Sequence, residues 1–275
     1  MSNTYEIYLI SDSTGETLER IFLAIKAQFK NFNYKTHYFS FTRTENQILR
    51  IIENSTKNRN SIFLYTIVDN KLAQFLSSEC NKKNIPCFGV LGDLILTFSK
   101  LLNQEASHIP SGQHVMNEDY YKKIEAIQFT MNHDDGNSLE DIIKSDIILL
   151  GVSRTSKTPT SIYLANRGFK TSNIPLVNED SIPPKVTEKK FTPCVIGLVT
   201  EPERLFDLRK NRLTSLKEDQ NSAYVNIDKI RDELKKAKKI FKENNWPTID
   251  VTRKSVEETA ASVIKIYEIK NKRNA

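Results

Sequence analysis

The chain has 275 residues, a formal net charge of +6 and 39% hydrophobic residues, which suits about two soluble globular domains with real cores. No run approaches the ~18 consecutive apolar residues of a membrane span, and the opening Met1-Ser2-Asn3-Thr4-Tyr5-Glu6 lacks the basic and apolar stretches of a signal peptide. A cytoplasmic location without membrane contact is therefore expected. Cys80, Cys87 and Cys194 show no C-x-x-C spacing and the four histidines no H-E-x-x-H, so reduced thiols are expected in place of a disulfide framework or zinc site. The basic charge permits nucleic-acid binding. With no aromatic–basic interleaving and a general Lys, Asn and Ile bias to explain the charge, no nucleic-acid partner is expected.

Tyr5 to Ile10 alternates and reads as a first strand. The turn Ser11-Asp12-Ser13-Thr14-Gly15 follows, then Leu18, Ile21, Phe22, Ile25 and Phe29 at helical spacing. Its hydroxyls and glycine can hold a phosphate at a helix start, with Asp12 as base or metal ligand. The plainer reading is an N-cap by Ser13 or Thr14. Units of the same kind follow: strands at His37–Phe41, Ser61–Val68 and Ile85–Val90, and helices carrying Ile48, Leu49, Ile51 and Ile52, then Leu72, Phe75 and Leu76, then Leu94 to Leu102. Such alternation predicts a parallel sheet covered on both faces. Residues 104–119 are polar and irregular, with His108 and His114 either acid/base candidates or surface residues. Tyr120, Ile124, Ile127 and Met131 form a helix stripe ending in His133-Asp134-Asp135-Gly136. There the aspartates can bind metal, activate a hydroxyl or sit in a solvated turn.

The next stretch carries the strongest chemical signal. Ile147 to Leu150 is an apolar strand, and Gly151-Val152-Ser153-Arg154-Thr155-Ser156-Lys157-Thr158 follows at Walker A spacing, with Ser156 where the second glycine is expected. Backbone N–H groups at such a loop converge on an anion, aided by the helix dipole. Lys157 can reach terminal phosphates and Thr158 can join the shell of Mg²⁺. Because serine disfavours a glycine-only backbone angle, a slightly different loop path is expected. A helix runs from about Thr158 to Arg167 with Gly168 as its stop, and Thr171–Val177 and Cys194–Thr200 read as strands. Glu201 sits at a strand end where phosphate-loop enzymes keep an acid near Mg²⁺. Arg204, Arg209, Lys210 and Arg212 are either a lid or a solvated helix face. Ile227 to Asn244 is a helix with an apolar stripe and a basic face that is solvated or docks a partner. A last strand and helix precede a tail, Lys270 to Ala275, expected to be loose.

Ser11-Asp12-Ser13-Thr14-Gly15-Glu16-Thr17, Tyr121 to Phe129 with Asp134-Asp135-Gly136, Gly151 to Ala165, Glu201 to Leu205 and Arg253 to Glu258 run in one order across nearly the whole chain. In these stretches the sequence resembles the bifunctional regulatory proteins of pyruvate, phosphate dikinase and of phosphoenolpyruvate synthase. The Thr-Ser-Lys-Thr ending resembles the pyruvate, phosphate dikinase branch, while Ser111 departs from the family's Pro-Gly start in the loop containing His114. The resemblance implies a protein kinase that phosphorylates a dikinase threonine from ADP and releases AMP. It also implies a phosphate-dependent dephosphorylation that yields pyrophosphate.

The resulting expectation is an α/β protein with two parallel-sheet domains, residues 1–104 and 141–275, the second a P-loop domain, joined through residues 105–140. Gly151 to Thr158 are expected to bind the nucleotide phosphates with Mg²⁺ on Thr158. Lys157, Thr158, Arg154, Asp12 and Asp135 are the catalytic candidates. The expected partners are pyruvate, phosphate dikinase, with phosphoenolpyruvate synthase as the alternative, and a second copy of the chain in a homodimer. Two rivals remain: a small-molecule P-loop kinase and a nucleotide-sensing module without turnover.

Overall fold

The computed structural model describes residues 4–55, 60–114, 116–177, 181–188, 190–216 and 223–274. Its contacts divide the chain into two compact units, Met1–Val115 and Met116–Ala275.

The first unit contains β1 (Tyr5–Ser11), α1 (Glu16–Lys26), β2 (Tyr34–Phe39), α2 (Glu45–Ser55), β3 (Ser61–Thr66), α3 (Asn70–Lys82), β4 (Cys87–Gly89) and α4 (Gly92–Leu102). The strands are all parallel in the order β2-β1-β3-β4. The alternation along β1 sends its side chains to two cores. Ile7 and Leu9 meet Leu18 and Phe22 of α1, while Tyr8 and Ile10 meet Ile48, Ile51 and Ile52 of α2 and Leu72 and Leu76 of α3. This double burial explains why the strand reads as nearly continuous apolar sequence. No side chain of α4 is buried, and Leu94, Phe98, Leu101 and Leu102 stand exposed.

The second unit opens with α5 (Glu118–Asn132) and the 3-10 turns Asp134–Gly136 and Leu139–Lys144. It continues with β5 (Ile147–Gly151), α6 (Lys157–Ala165), β6 (Thr171–Pro175), β7 (Cys194–Val199), α7 (Pro202–Leu216), α8 (Ile227–Glu243), β8 (Thr248–Asp250) and α9 (Val256–Asn274). These strands are also all parallel, in the order β6-β5-β7-β8. Ile148 and Leu150 pack with Ile230, Leu234, Ala237 and Phe241 of α8; Ile147 and Leu149 pack with Leu164 of α6 and Ala260 and Val263 of α9. A Cβ at Gly197 would collide with the Phe241 ring, so this glycine lets α8 lie against β7. The mixed α/β class with two helix-flanked parallel sheets is thus as expected.

Several local expectations are corrected. The apolar stripe of α5 is mis-phased: Ala126 and Thr130 are its buried residues, while Tyr120 and Met131 are exposed. Its inner face is set by packing on α6 and β6, where small side chains fit best. Helix α9 continues to Asn274, through most of the tail from Lys270. Strand β2 begins at Tyr34, ahead of the expected His37. No helix among the described residues is long and apolar enough to cross a membrane.

Candidate functional site

Strand β5 ends in Gly151, and the chain must turn sharply there to enter α6. A Cβ at Gly151 would come within 2.6 Å of Thr155 Oγ1 and 2.9 Å of the Leu198 carbonyl oxygen, so only glycine fits without movement. Thr155 is buried and donates its hydroxyl to the Val152 carbonyl at 2.9 Å, closing the loop on itself. Arg154 and Ser156 both take the left-handed backbone conformation, with φ of 75° and 60°. Ser156 therefore adopts the glycine-like angle itself, at a cost of about 1–2 kcal/mol. Helix α6 starts at Lys157 with no side-chain cap. Its first turn contains Pro159, which has no N–H to satisfy.

Lys157 is 5% exposed, and its ammonium donates to the Val152 carbonyl at 3.1 Å. Burial pushes its pKa down to about 8, against the opposing pull of the Asp135 and Asp134 carboxylates. The Thr158 hydroxyl donates to Asp134 Oδ1 at 2.9 Å. Asn173, fully buried on β6, holds this turn in place: its side-chain amide donates to Asp134 Oδ1, and its Oδ1 accepts the Asp135 backbone N–H at 3.1 Å. Asp135 sits at φ 50°, a conformation that this contact helps fix. The two aspartates therefore belong to the surroundings of Lys157 and Thr158. Sequence reasoning missed Asn173. The available signal was a polar Thr171-Ser172-Asn173 run inside a strand with buried neighbours, where each polar group needs a partner.

The arginine run on α7 divides. Arg209 is 1% exposed and makes a bidentate pair with Glu233 of α8, at 2.6 and 3.3 Å. Its guanidinium lies 4.5 Å from the centre of the Tyr224 ring and donates to the Ser153 carbonyl at 3.5 Å. The Tyr224 hydroxyl meets Ser153 Oγ at 3.0 Å. Arg209 is thus a buried strut behind the loop, neither lid nor solvated face, while Arg204, Lys210 and Arg212 are exposed. The carboxylate on the Thr158 hydroxyl comes from Asp134 and not from Glu201, which follows β7. Glu201 is exposed, and its backbone N–H donates to Thr252 Oγ1 at 3.0 Å.

Asp12 lies in the first unit, at the edge of a cavity of about 160 Å³ lined also by Ser11, Ser13, Thr66 and Ser111. Asp12 Oδ2 accepts the Val68 N–H at 2.7 Å, and burial holds its carboxyl above the usual carboxylate range. The N-cap expectation is corrected: neither Ser13 nor Thr14 caps α1, which begins after Gly15 at φ 88° with no side-chain cap. The Ser13 hydroxyl instead accepts a bond from Ser111 at 2.9 Å. His108 ties down its loop through the Val68 carbonyl at 2.7 Å and the Asn70 side chain at 3.2 Å. The side chain of His114 lies outside the described residues.

A family model described as "Kinase/pyrophosphorylase" matches residues 7–264. A "Putative pyruvate, phosphate dikinase regulatory protein" of Pelagibacter ubique is 67% identical over 274 residues, covering 100% of both chains. Proteins of the same name from Erythrobacter litoralis and Sphingopyxis alaskensis are each 46% identical. They align over 98% and 95% of this chain, and over 95% and 96% of their own lengths.

Proposed function

The chain belongs to the kinase/pyrophosphorylase family, and from that premise we propose that it regulates pyruvate, phosphate dikinase by reversible threonine phosphorylation in the cytoplasm. The observation that carries this reading is the convergence of Lys157, Thr158, Asp134 and Asp135 at the uncapped start of α6, behind a loop shaped by Gly151. The names of the relatives support the choice of partner.

In this reading the backbone of Val152 to Thr158 cradles the phosphates of ADP, and Lys157 leaves the Val152 carbonyl to neutralise the β-phosphate. The dikinase threonine oxygen attacks the β-phosphorus, the bond to the α-phosphate oxygen breaks, and AMP leaves. Asp135, exposed beside Lys157, takes the threonine proton. In the reverse direction an oxygen of inorganic phosphate attacks phosphothreonine, the threonine oxygen departs with a proton, and pyrophosphate forms. Positioning and charge neutralisation supply most of the rate in both directions. Mg²⁺ fits this site: the Thr158 hydroxyl and the Asp134 carboxylate are hard oxygen ligands, and one or two protein oxygens plus phosphates suffice. It would screen charge on the phosphates. Arg154, at the rim of the loop, is the candidate for contact with the transferred group. Asp12 keeps a candidate role as base or metal ligand, and it lies at the edge of the cavity in the first unit. A homodimer is part of the proposal, since α4 presents Leu94, Phe98, Leu101 and Leu102 to solvent, and sedimentation would test it.

The test is incubation of the protein with β-labelled ADP and purified dikinase. Label on a dikinase threonine, released as pyrophosphate on adding phosphate, supports the reading. Label on phosphoenolpyruvate synthase alone would keep the chemistry and change the partner. Label on a small metabolite, or ADP binding without transfer, would overturn it in favour of a metabolite kinase or a silent sensor.

A further inference from the structure

A cavity of about 660 Å³ opens beside the loop, between its Arg154 and Ser156 and the residues that follow β7 and β8. In the sheet order β6-β5-β7-β8 the chain winds to one side of β5 and then to the other. The crevice outside the carboxyl ends of strands at such a reversal is where open parallel sheets take ligands. Four cations line the cavity: Arg154 from the loop, Arg204 from the first turn of α7, and Arg253 and Lys254 from the connection into α9. None of the four has an ion-pair partner within 4 Å among the described residues. Two carboxylates, Glu201 and Asp207, share the wall, so positive charge dominates. A net positive charge in a concave site concentrates anions there.

The apolar part of the lining is Leu208 and Val251, with no aromatic ring to stack a nucleobase. Guanidinium groups, by contrast, match the oxygens of a phosphate in paired hydrogen bonds. The chemistry of the proposed reverse reaction also calls for two phosphates at once, one attacking and one attacked. Lys157 is the loop's one buried cation, and Arg154 lines this cavity, so a second phosphate would draw on the cations gathered here.

We infer that this cavity is a second phosphate site, in which Arg204, Arg253 and Arg154 hold a phosphate group while the loop holds another. The inference rests on the proposed function for the loop. Its ligand is a phosphate dianion, from either inorganic phosphate or a phosphothreonine side chain of the protein substrate. The Arg253 to Glu258 stretch, which stood out in the sequence without a role, then contributes one wall of this site.

The test is calorimetric titration of the ADP-loaded protein with inorganic phosphate, for the wild type and for Arg204→Ala combined with Arg253→Ala. The expected result is phosphate binding to the ADP-loaded wild type, weakened about tenfold or more in the double variant, with ADP affinity changed by less than about twofold. Unchanged ADP affinity also shows that the variant is folded. Absence of phosphate binding to the ADP-loaded wild type, equal binding by the variant, or an equal loss of ADP affinity would each overturn the second site. Failure of the wild type to bind ADP would instead defeat the reading of the loop. Steady-state rates with phosphothreonine-bearing dikinase then separate the sources. A raised KM for inorganic phosphate assigns the cavity to the attacking group, a raised KM for the phosphoprotein assigns it to the substrate, and a change in neither overturns the inference.

Discussion

Replacing Lys157 by methionine should stabilise the free protein while abolishing phosphoryl transfer. The lysine is 5% exposed, and its ammonium has the Val152 carbonyl as its hydrogen-bond acceptor. Desolvation lowers its pKa from 10.5 to about 8, which corresponds to roughly 3 kcal/mol of unfavourable charge burial. Methionine keeps much of the volume, and the Val152 carbonyl retains its bond from Thr155. Allowing about 1 kcal/mol for the lost hydrogen bond leaves a net gain of about 2 kcal/mol near pH 7, or about 4–8 °C in Tm. The sign of the pH dependence follows from the lowered value. Below about pH 8 the folded chain carries the full penalty of a buried charge. Between pH 8 and 10.5 the unfolded chain binds the extra proton, so wild-type stability rises with pH through this window and the advantage of Lys157→Met shrinks. Urea unfolding of both proteins at pH 7 and pH 10 measures this, and labelled-ADP transfer measures activity. A variant less stable than wild type at pH 7, or one that still transfers phosphate, would refute the account of Lys157.

Asp134→Ala removes the acceptor of both Thr158 and Asn173, and the transfer rate should fall about 100-fold or more, as read by label on dikinase. Asn173→Leu leaves Asp134 without its strand-borne donor and frees the Asp135 N–H. It should cost about 1–3 kcal/mol in urea unfolding and slow transfer as well. Gly151→Ala forces a methyl against the Leu198 carbonyl and should cost about 1–3 kcal/mol, seen as a lowered Tm with weakened ADP binding. Glu233→Ala strands the buried Arg209. Because Glu233 itself is partly exposed, solvent screening limits the loss to about 1–2 kcal/mol, measurable as a lowered urea midpoint.

The parallel sheets were legible because buried strands such as Ile147–Leu150 and Cys194–Val199 are nearly continuous apolar runs between polar turns. The turn from β5 into α6 was legible for a different reason: Gly151 to Thr158 are contiguous in sequence, so the strand, the polar turn and the helix start can be read from one short stretch. Asp134 was visible as part of a turn, but its contact with Thr158 spans 24 residues and depends on how α5 and β6 pack. Asn173 was hidden because one asparagine in a strand gives no periodic signal. Arg209 was read beside Arg204 and Arg212 since all three share a helix and a charge. Only the position of Glu233 on α8, again distant in sequence, makes it a buried strut. The α5 stripe was mis-phased because small residues such as Ala126 can face a neighbour more closely than Met131, which hydrophobicity alone would bury.

The most direct measurement is a crystal structure of the protein with ADP and Mg²⁺. The β-phosphate is expected at the start of α6, within hydrogen-bond distance of Lys157 Nζ and the loop N–H groups, with the metal on Thr158 and Asp134. ADP bound with its phosphates away from Lys157 would contradict the assignment of the loop, whatever activity the protein shows.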